Sequence, residues 1–145
     1  MDMPTTITIE TNITASIDDV WDAFNEPRHI LKWDKSDDWH IIQVTNDLRI
    51  GGQLILNMEE KNSANRFDVT ATYTQLEPKS LIEFLMDDGH IRNRMVRMNF
   101  LITDIGVMVR QTFDTDLSLS IKEQRLDWQE VQHRFARYVE SMAHF

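Results

Sequence analysis

SIKEQRLDWQEVQHRFARYVESMAHF, residues 120 to 145, is the one long segment whose apolar residues all fall on one side of a helix. At about 100° per residue, Ile121, Trp128, Val131, Phe135, Tyr138, Val139 and Met142 project within an arc of about 100°. Lys122, Glu123, Glu130, His133, Arg134, Arg137 and Glu140 occupy the opposite, solvated face, with Glu130 four residues before Arg134 in the favourable orientation. Ser120 and Glu123 form a Ser-x-x-Glu capping box, so a helix is expected to begin near Ser120 and run roughly 36 Å. A stripe that long has to be covered, and the chain before it must supply the cover.

That chain is rich in strands. Thr5 to Thr14 alternates with period two, with Ile7, Ile9 and Ile13 on one face. Ser16 stands at capping-box spacing from Asp19 and opens a short helix through Asn25, carrying Ile17, Val20, Trp21 and Phe24. Pro27 suits the first turn of a second short helix with Ile30, Leu31 and Trp33, ending by Asp34. Lys35 to Asp38 reads as a loop. Strands follow at Trp39–Thr45 and Gln53–Glu60, then through Phe67, Val69, Ala71 and Tyr73, at Leu81–Met86 and His90–Thr103, and a last one carries Val107, Val109 and Phe113. Gly51-Gly52, Glu77-Pro78-Lys79-Ser80, Asp87-Asp88-Gly89 and Asp104-Ile105-Gly106 punctuate them. Strands in sequence with short turns favour an antiparallel meander, and only the closing helix is long enough to cover its apolar face. The expected fold is therefore α+β: a curved sheet of about six to seven strands wrapped around a long C-terminal helix. Two short helices lie between strands 1 and 2, and residues 1–145 form a single domain. Side chains cannot fill such a wrapped sheet everywhere, so a cavity beside the helix is expected.

Composition narrows the function. A formal charge of −9, from 24 acidic against 15 basic residues, argues against nucleic-acid binding, which needs clustered cationic surface. Arg92, Arg94 and Arg97 form one short basic cluster, read as the solvated face of a strand. There are no cysteines, which fits a reducing compartment and excludes thiol chemistry. With no signal-like N-terminus and no long apolar run, the expectation is a soluble cytoplasmic protein without membrane insertion. The five histidines, His29, His40, His90, His133 and His144, are scattered, so no metal site is read, and no cofactor motif or nucleophile elbow is present.

A set of short motifs runs through the chain in order: Val20-Trp21-Asp22-Ala23-Phe24, Ile30-Leu31-Lys32-Trp33, Asp37-Asp38-Trp39-His40 and Asn46-Asp47-Leu48-Arg49-Ile50-Gly51-Gly52. Phe67-Asp68 with Thr72-Tyr73, Glu77-Pro78, Asp88-Gly89, Thr112-Phe113-Asp114 and Asp127-Trp128-Gln129 continue it. In these the sequence resembles the START-like helix-grip superfamily, and within it the domain related to the activator of Hsp90 ATPase. One departure is Asp127, where the family often has Gly before the helix tryptophan. The resemblance implies the helix-grip fold, and it brings an Hsp90-type chaperone into view as a partner. Eukaryotic activators carry an additional N-terminal domain that supplies much of that contact, and no such domain is expected within these 145 residues. The superfamily also holds polyketide cyclases and lipid-transfer proteins.

The candidate cavity residues are Trp33, Trp39, His40, Met58, Tyr73, Glu83, Met98, Gln124, Trp128 and Tyr138. Trp33 and Trp39 would stack on an apolar ligand at the mouth with His40 as the nearby polar group, or plug the core. Gln124 falls inside the apolar stripe and must find partners, either a ligand or the backbone of a neighbouring strand. Trp128 lies at the stripe's centre and Tyr138 at its edge. Glu83 beside an arginine would make a general base in a cyclase-like reaction, or else a solvated strand residue. No pair of carboxylates has a spacing that assigns acid and base roles. The expected function is binding of a small hydrophobic or amphipathic molecule between sheet and helix. The alternatives are a co-chaperone-like interaction module and a cyclase- or hydrolase-like enzyme using the same cavity, the enzyme being the less favoured reading. Edge strands of an unclosed sheet could also pair in a homodimer.

Overall fold

A computed structural model of the protein describes residues 5–34 and 38–142. The order is β1 (Thr6–Ile13), α1 (Ile17–Asn25), α2 (Pro27–Trp33), β2 (Trp39–Asn46), β3 (Gln53–Glu60), β4 (Arg66–Glu77), β5 (Leu81–Asp87), β6 (Arg94–Thr103), β7 (Gly106–Asp114) and α3 (Ile121–Ser141). All pairings are antiparallel, and the sheet order β1-β7-β6-β5-β4-β3-β2 is a meander from β2 to β7 closed by β1 beside β7. The sheet curls into a half-barrel around α3, the expected α+β helix-grip.

Local chemistry explains the boundaries. The Ser16 hydroxyl accepts from the Asp19 amide at 3.1 Å and the Ser120 hydroxyl from the Glu123 amide at 3.3 Å, so both predicted caps form. Gly51 turns with φ 83°, and a side chain on Gly52 would strike the Asp47 carbonyl, which makes the pair a turn before β3. Two bulges, between Ile41 and Gln43 and between Tyr73 and Gln75, shift the register of β2 and β4 and bend the sheet. The bulge in β2 also turns Ile41 and Val44, three residues apart, both inward.

One boundary differs from expectation. β6 starts at Arg94 rather than His90, because the Asp88 carboxylate accepts the amides of His90 and Ile91 at 2.8 Å each and Asn93 adopts φ 55°. Those local bonds prolong the turn at the expense of the ladder. The expected loop at Lys35 to Asp38, except for Asp38, and the helix beyond Met142 lie outside the described residues. The core lies between the inner face of the sheet and the helices, with Ile7, Ile82, Val96, Phe113 and Val139 almost inaccessible.

Candidate functional site: a cavity beside the closing helix

The position of α3 across the sheet creates the site. The helix packs against β1, α1 and α2. Its side chains also bond edge strand β1 and the residue that follows it. Arg125 donates to the Thr8 carbonyl at 2.8 Å, Gln129 donates to the Thr11 hydroxyl at 2.8 Å, and the Thr14 amide donates to Glu140 at 2.9 Å. Trp128 stacks on Phe113 of β7 with ring centroids 3.9 Å apart. Drawn to that side, α3 leaves the inner faces of β3, β4 and β5 uncovered. A cavity of about 620 Å³ remains there.

Its walls are mostly apolar. Leu56 and Met58 come from β3, Ala71 and Tyr73 from β4, and Phe84 from β5, while Trp128 and Val131 face them from α3 and Trp33 closes one end from α2. Ala71 helps keep the space open, since its buried side chain is a single methyl. Trp33 is held by its indole N–H, which donates to the Ala23 carbonyl at 2.8 Å, and by an edge contact with Phe135 at 4.8 Å. It thus plugs the core and lines the cavity at once. The Tyr73 hydroxyl donates to Asn46 at 2.6 Å, and burial pushes its pKa up to about 12, so it stays a neutral, already-bonded group.

The polar wall is assembled from several elements. Asp34, the C-cap of α2, is half-buried; desolvation raises its pKa to about 6, with the Arg134 guanidinium pulling the other way. Arg134 stands 3.9 Å from Glu130, and its Nη1 is buried with no hydrogen-bond partner. Gln111 also lines the cavity, and its carbonyl oxygen accepts from Gln132 at 2.7 Å. Asp38, Asp88 and Asp127 complete the carboxylates on the lining. Among the described residues no group of three or more His, Cys, Asp or Glu side chains is arranged to hold a metal ion.

Of the ten residues read from the sequence, Trp33, Trp39, Met58, Tyr73 and Trp128 line this cavity and the other five do not. His40 alternates to the other side of β2 from Ile41 and lies 3.6 Å from Glu59. Glu83 sits between inward-facing Ile82 and Phe84, so it points outward and meets Arg97 at 2.6 Å, which with the hydrogen bonds of Thr74 and Gln75 holds its pKa below the usual value against the opposing effect of desolvation. Met98 is core. Tyr138 shares a 2.6 Å hydrogen bond with His29 of α2.

Gln124 is buried in a structural network. Its oxygen accepts from the Asp116 amide at 2.8 Å and from Arg94 at 3.1 Å, and its nitrogen donates to the Asp116 carbonyl at 2.8 Å. The expected solvated placement of Arg94 is corrected by the same network: at 6% exposure it lies inside, donating also to the Asp114 carbonyl at 2.8 Å. The polar lining residues Asp34, Asp38, Asp88, Gln111, Asp127, Glu130 and Arg134 were not among the candidates. Gln111 carries a sequence signal, a polar residue in the inward phase of Val107, Val109 and Phe113. Arg134 carries none, because the helical wheel places it on the solvent side while the curled sheet brings the cavity up to that side.

No helix among the described residues is long and apolar enough to cross a membrane. No curated protein matches the chain. Among solved structures, an AHSA1-like protein from Aeromonas hydrophila is 34% identical and superposes with a TM-score of 0.84, covering 97% of this chain and 98% of that one. A Cytophaga hutchinsonii protein is 32% identical, with a TM-score of 0.79 and 97% coverage of both chains. At 19% identity, a Chromobacterium violaceum protein shares the fold, with a TM-score of 0.82 over 94% of this chain and 99% of that one. Such a fold supports ligand-binding or co-chaperone-like domains in general. With a match to the family model over residues 14–144, the chain belongs to the activator of Hsp90 ATPase homolog 1-like family.

Proposed function

We propose that the protein binds a small hydrophobic or amphipathic molecule in the cavity between β3–β5 and α3. The observation that carries this reading is the cavity itself, about 620 Å³ and walled mainly by aromatic and aliphatic side chains. Spaces of about 300–1,000 Å³ with apolar walls and a few polar groups are typical of ligand sites. The test is native mass spectrometry of protein purified gently from its own host, beside an Ala71→Trp variant whose indole occupies the space. A stoichiometric small molecule on the wild type that is lost from the folded variant is the expected result. An adduct carried equally by both would place the molecule elsewhere and sink the reading.

Two observations motivate other uses of the same fold. Family membership motivates a co-chaperone-like role, for which titration with the middle region of a cognate Hsp90 should give saturable binding; absence of binding counts against it. Asp34, half-buried with its pKa raised to about 6, is a group on the cavity wall able to take up a proton in a cyclase- or hydrolase-like reaction. If any turnover is found, Asp34→Asn should abolish it, and unchanged turnover would remove that role.

A further inference from the structure

The charge around the cavity is one-sided. Asp34, Asp88, Asp127 and Glu130 line it, and among the described residues Arg134 is the guanidinium on the lining. Arg134 is already faced by carboxylates, with Asp34 acting on it across the cavity end and Glu130 at 3.9 Å. The next cation, Arg94, is turned into its bonds with Asp114 and Gln124 and has the charges of Asp88, Asp114 and Asp116 around it. A cleft with low-dielectric walls focuses such a field and concentrates ions of opposite sign.

The walls reinforce the preference. Indole and phenyl rings present negative π-faces, and tryptophan is the strongest of them towards a cation. Trp33 and Trp128 both line the space. Phe113 covers one face of Trp128 at 3.9 Å, and Arg94 lies 4.8 Å from Trp128 and 5.5 Å from Phe113. Those three distances form a triangle in which Arg94 is beside Phe113 rather than across from it. Neither group covers the second indole face.

Resting on the ligand-binding reading above, we propose that the cavity selects amphipathic cations, an amine or quaternary ammonium group on an apolar body. The apolar body fills the space under Trp128 and Val131, and the cationic head lies among the carboxylates and indole faces. A carboxylate ligand would have to pass the same acidic groups to reach the unpartnered Nη1 of Arg134, and that is the competing outcome.

The test compares dodecyltrimethylammonium, dodecanoate and dodecanol, which share one chain and differ in head charge, by calorimetric titration of the full chain at low ionic strength. The cation is expected to bind one to one and roughly tenfold or more tighter than dodecanoate, with dodecanol between them. Added salt should narrow the gap, as should the double variant Asp127→Asn/Glu130→Gln. A control double variant, Asp22→Asn/Asp104→Asn, removes the same charge from exposed sites off the cavity and should leave the gap unchanged. Dodecanoate binding as tightly as the cation, or both variants narrowing the gap equally, overturns the charge preference while leaving cavity binding intact. If none of the three ligands binds, the ligand-binding reading falls with it.

Discussion

The two flanks of α3 begin from similar residues and end in different states. On the β1 flank, Arg125, Gln129 and Glu140 bond the backbone or hydroxyls of the edge strand, and Trp128 stacks on Phe113. On the flank facing β3–β5, Val131 and Arg134 look across a space that no side chain fills. An edge strand carries unpaired backbone groups at every second residue, and long polar side chains on a facing helix can satisfy them. Inner strands offer no such groups, because their ladders are complete. The helix is therefore drawn to one side of the curled sheet, and the cavity is the remainder.

Truncation should separate the flanks most strongly. Phe113 is fully buried beneath Trp128, so Phe113→Ala is expected to cost about 3–5 kcal/mol. Val69→Ala, at the cavity wall where packing is already incomplete, should cost about 1 kcal/mol or less. Urea denaturation compares them, and equal losses would mean the cavity flank is packed as tightly as the other.

An intermediate effect is expected at the front of the helix. Gln124→Leu keeps the volume but leaves the Asp116 amide and the Arg94 guanidinium short of an acceptor. The expected loss is about 1–3 kcal/mol, with the cavity unaltered. If the variant also lost ligand binding while remaining folded, the network would belong to the site after all.

The effect with a pH signature lies at Asp34. The folded protein holds its proton to about pH 6, whereas the unfolded chain releases it near 3.8. Above pH 6 the half-buried carboxylate is charged at a cost, and as pH falls towards 4 the folded state takes up a proton that the unfolded state lacks, so stability from this site rises with acid. Asp34→Asn should therefore be more stable than wild type at pH 7, by about 1–2 kcal/mol after allowing for partial exposure, with the advantage fading towards pH 4. A difference independent of pH, read from thermal melts across that range, would show that Asp34 is not held in a desolvating site.

Much of the architecture was legible because it rests on local rules. Ser16 and Ser120 are capping residues by their own chemistry, and Ile7, Ile9 and Ile13 alternate whether or not a partner strand is known. The prolonged turn before β6 was less legible, since the positive φ at Asn93 and the bonds of Asp88 compete with a strand pattern that reads well on its own. The candidate site divided along the same line. Trp33, Trp39, Met58, Tyr73 and Trp128 reach the cavity, whereas Gln124 was identified by its phase and turned out to serve Asp116 and Arg94.

From the sequence by itself follow the elements, their order, the helix-grip class and the family, because periodicity, caps and turn residues act over a few positions and the motifs recur along the whole chain. Only the tertiary structure decided which side of α3 faces empty space, that Arg94 is buried, and that Asp34, Gln111, Glu130 and Arg134 line one cavity with three tryptophans. The physical reason is sheet curvature. Bulges in β2 and β4 and the attachment of α3 to edge strand β1 set how far the remaining strands stand from the helix, and that distance is a property of the whole sheet.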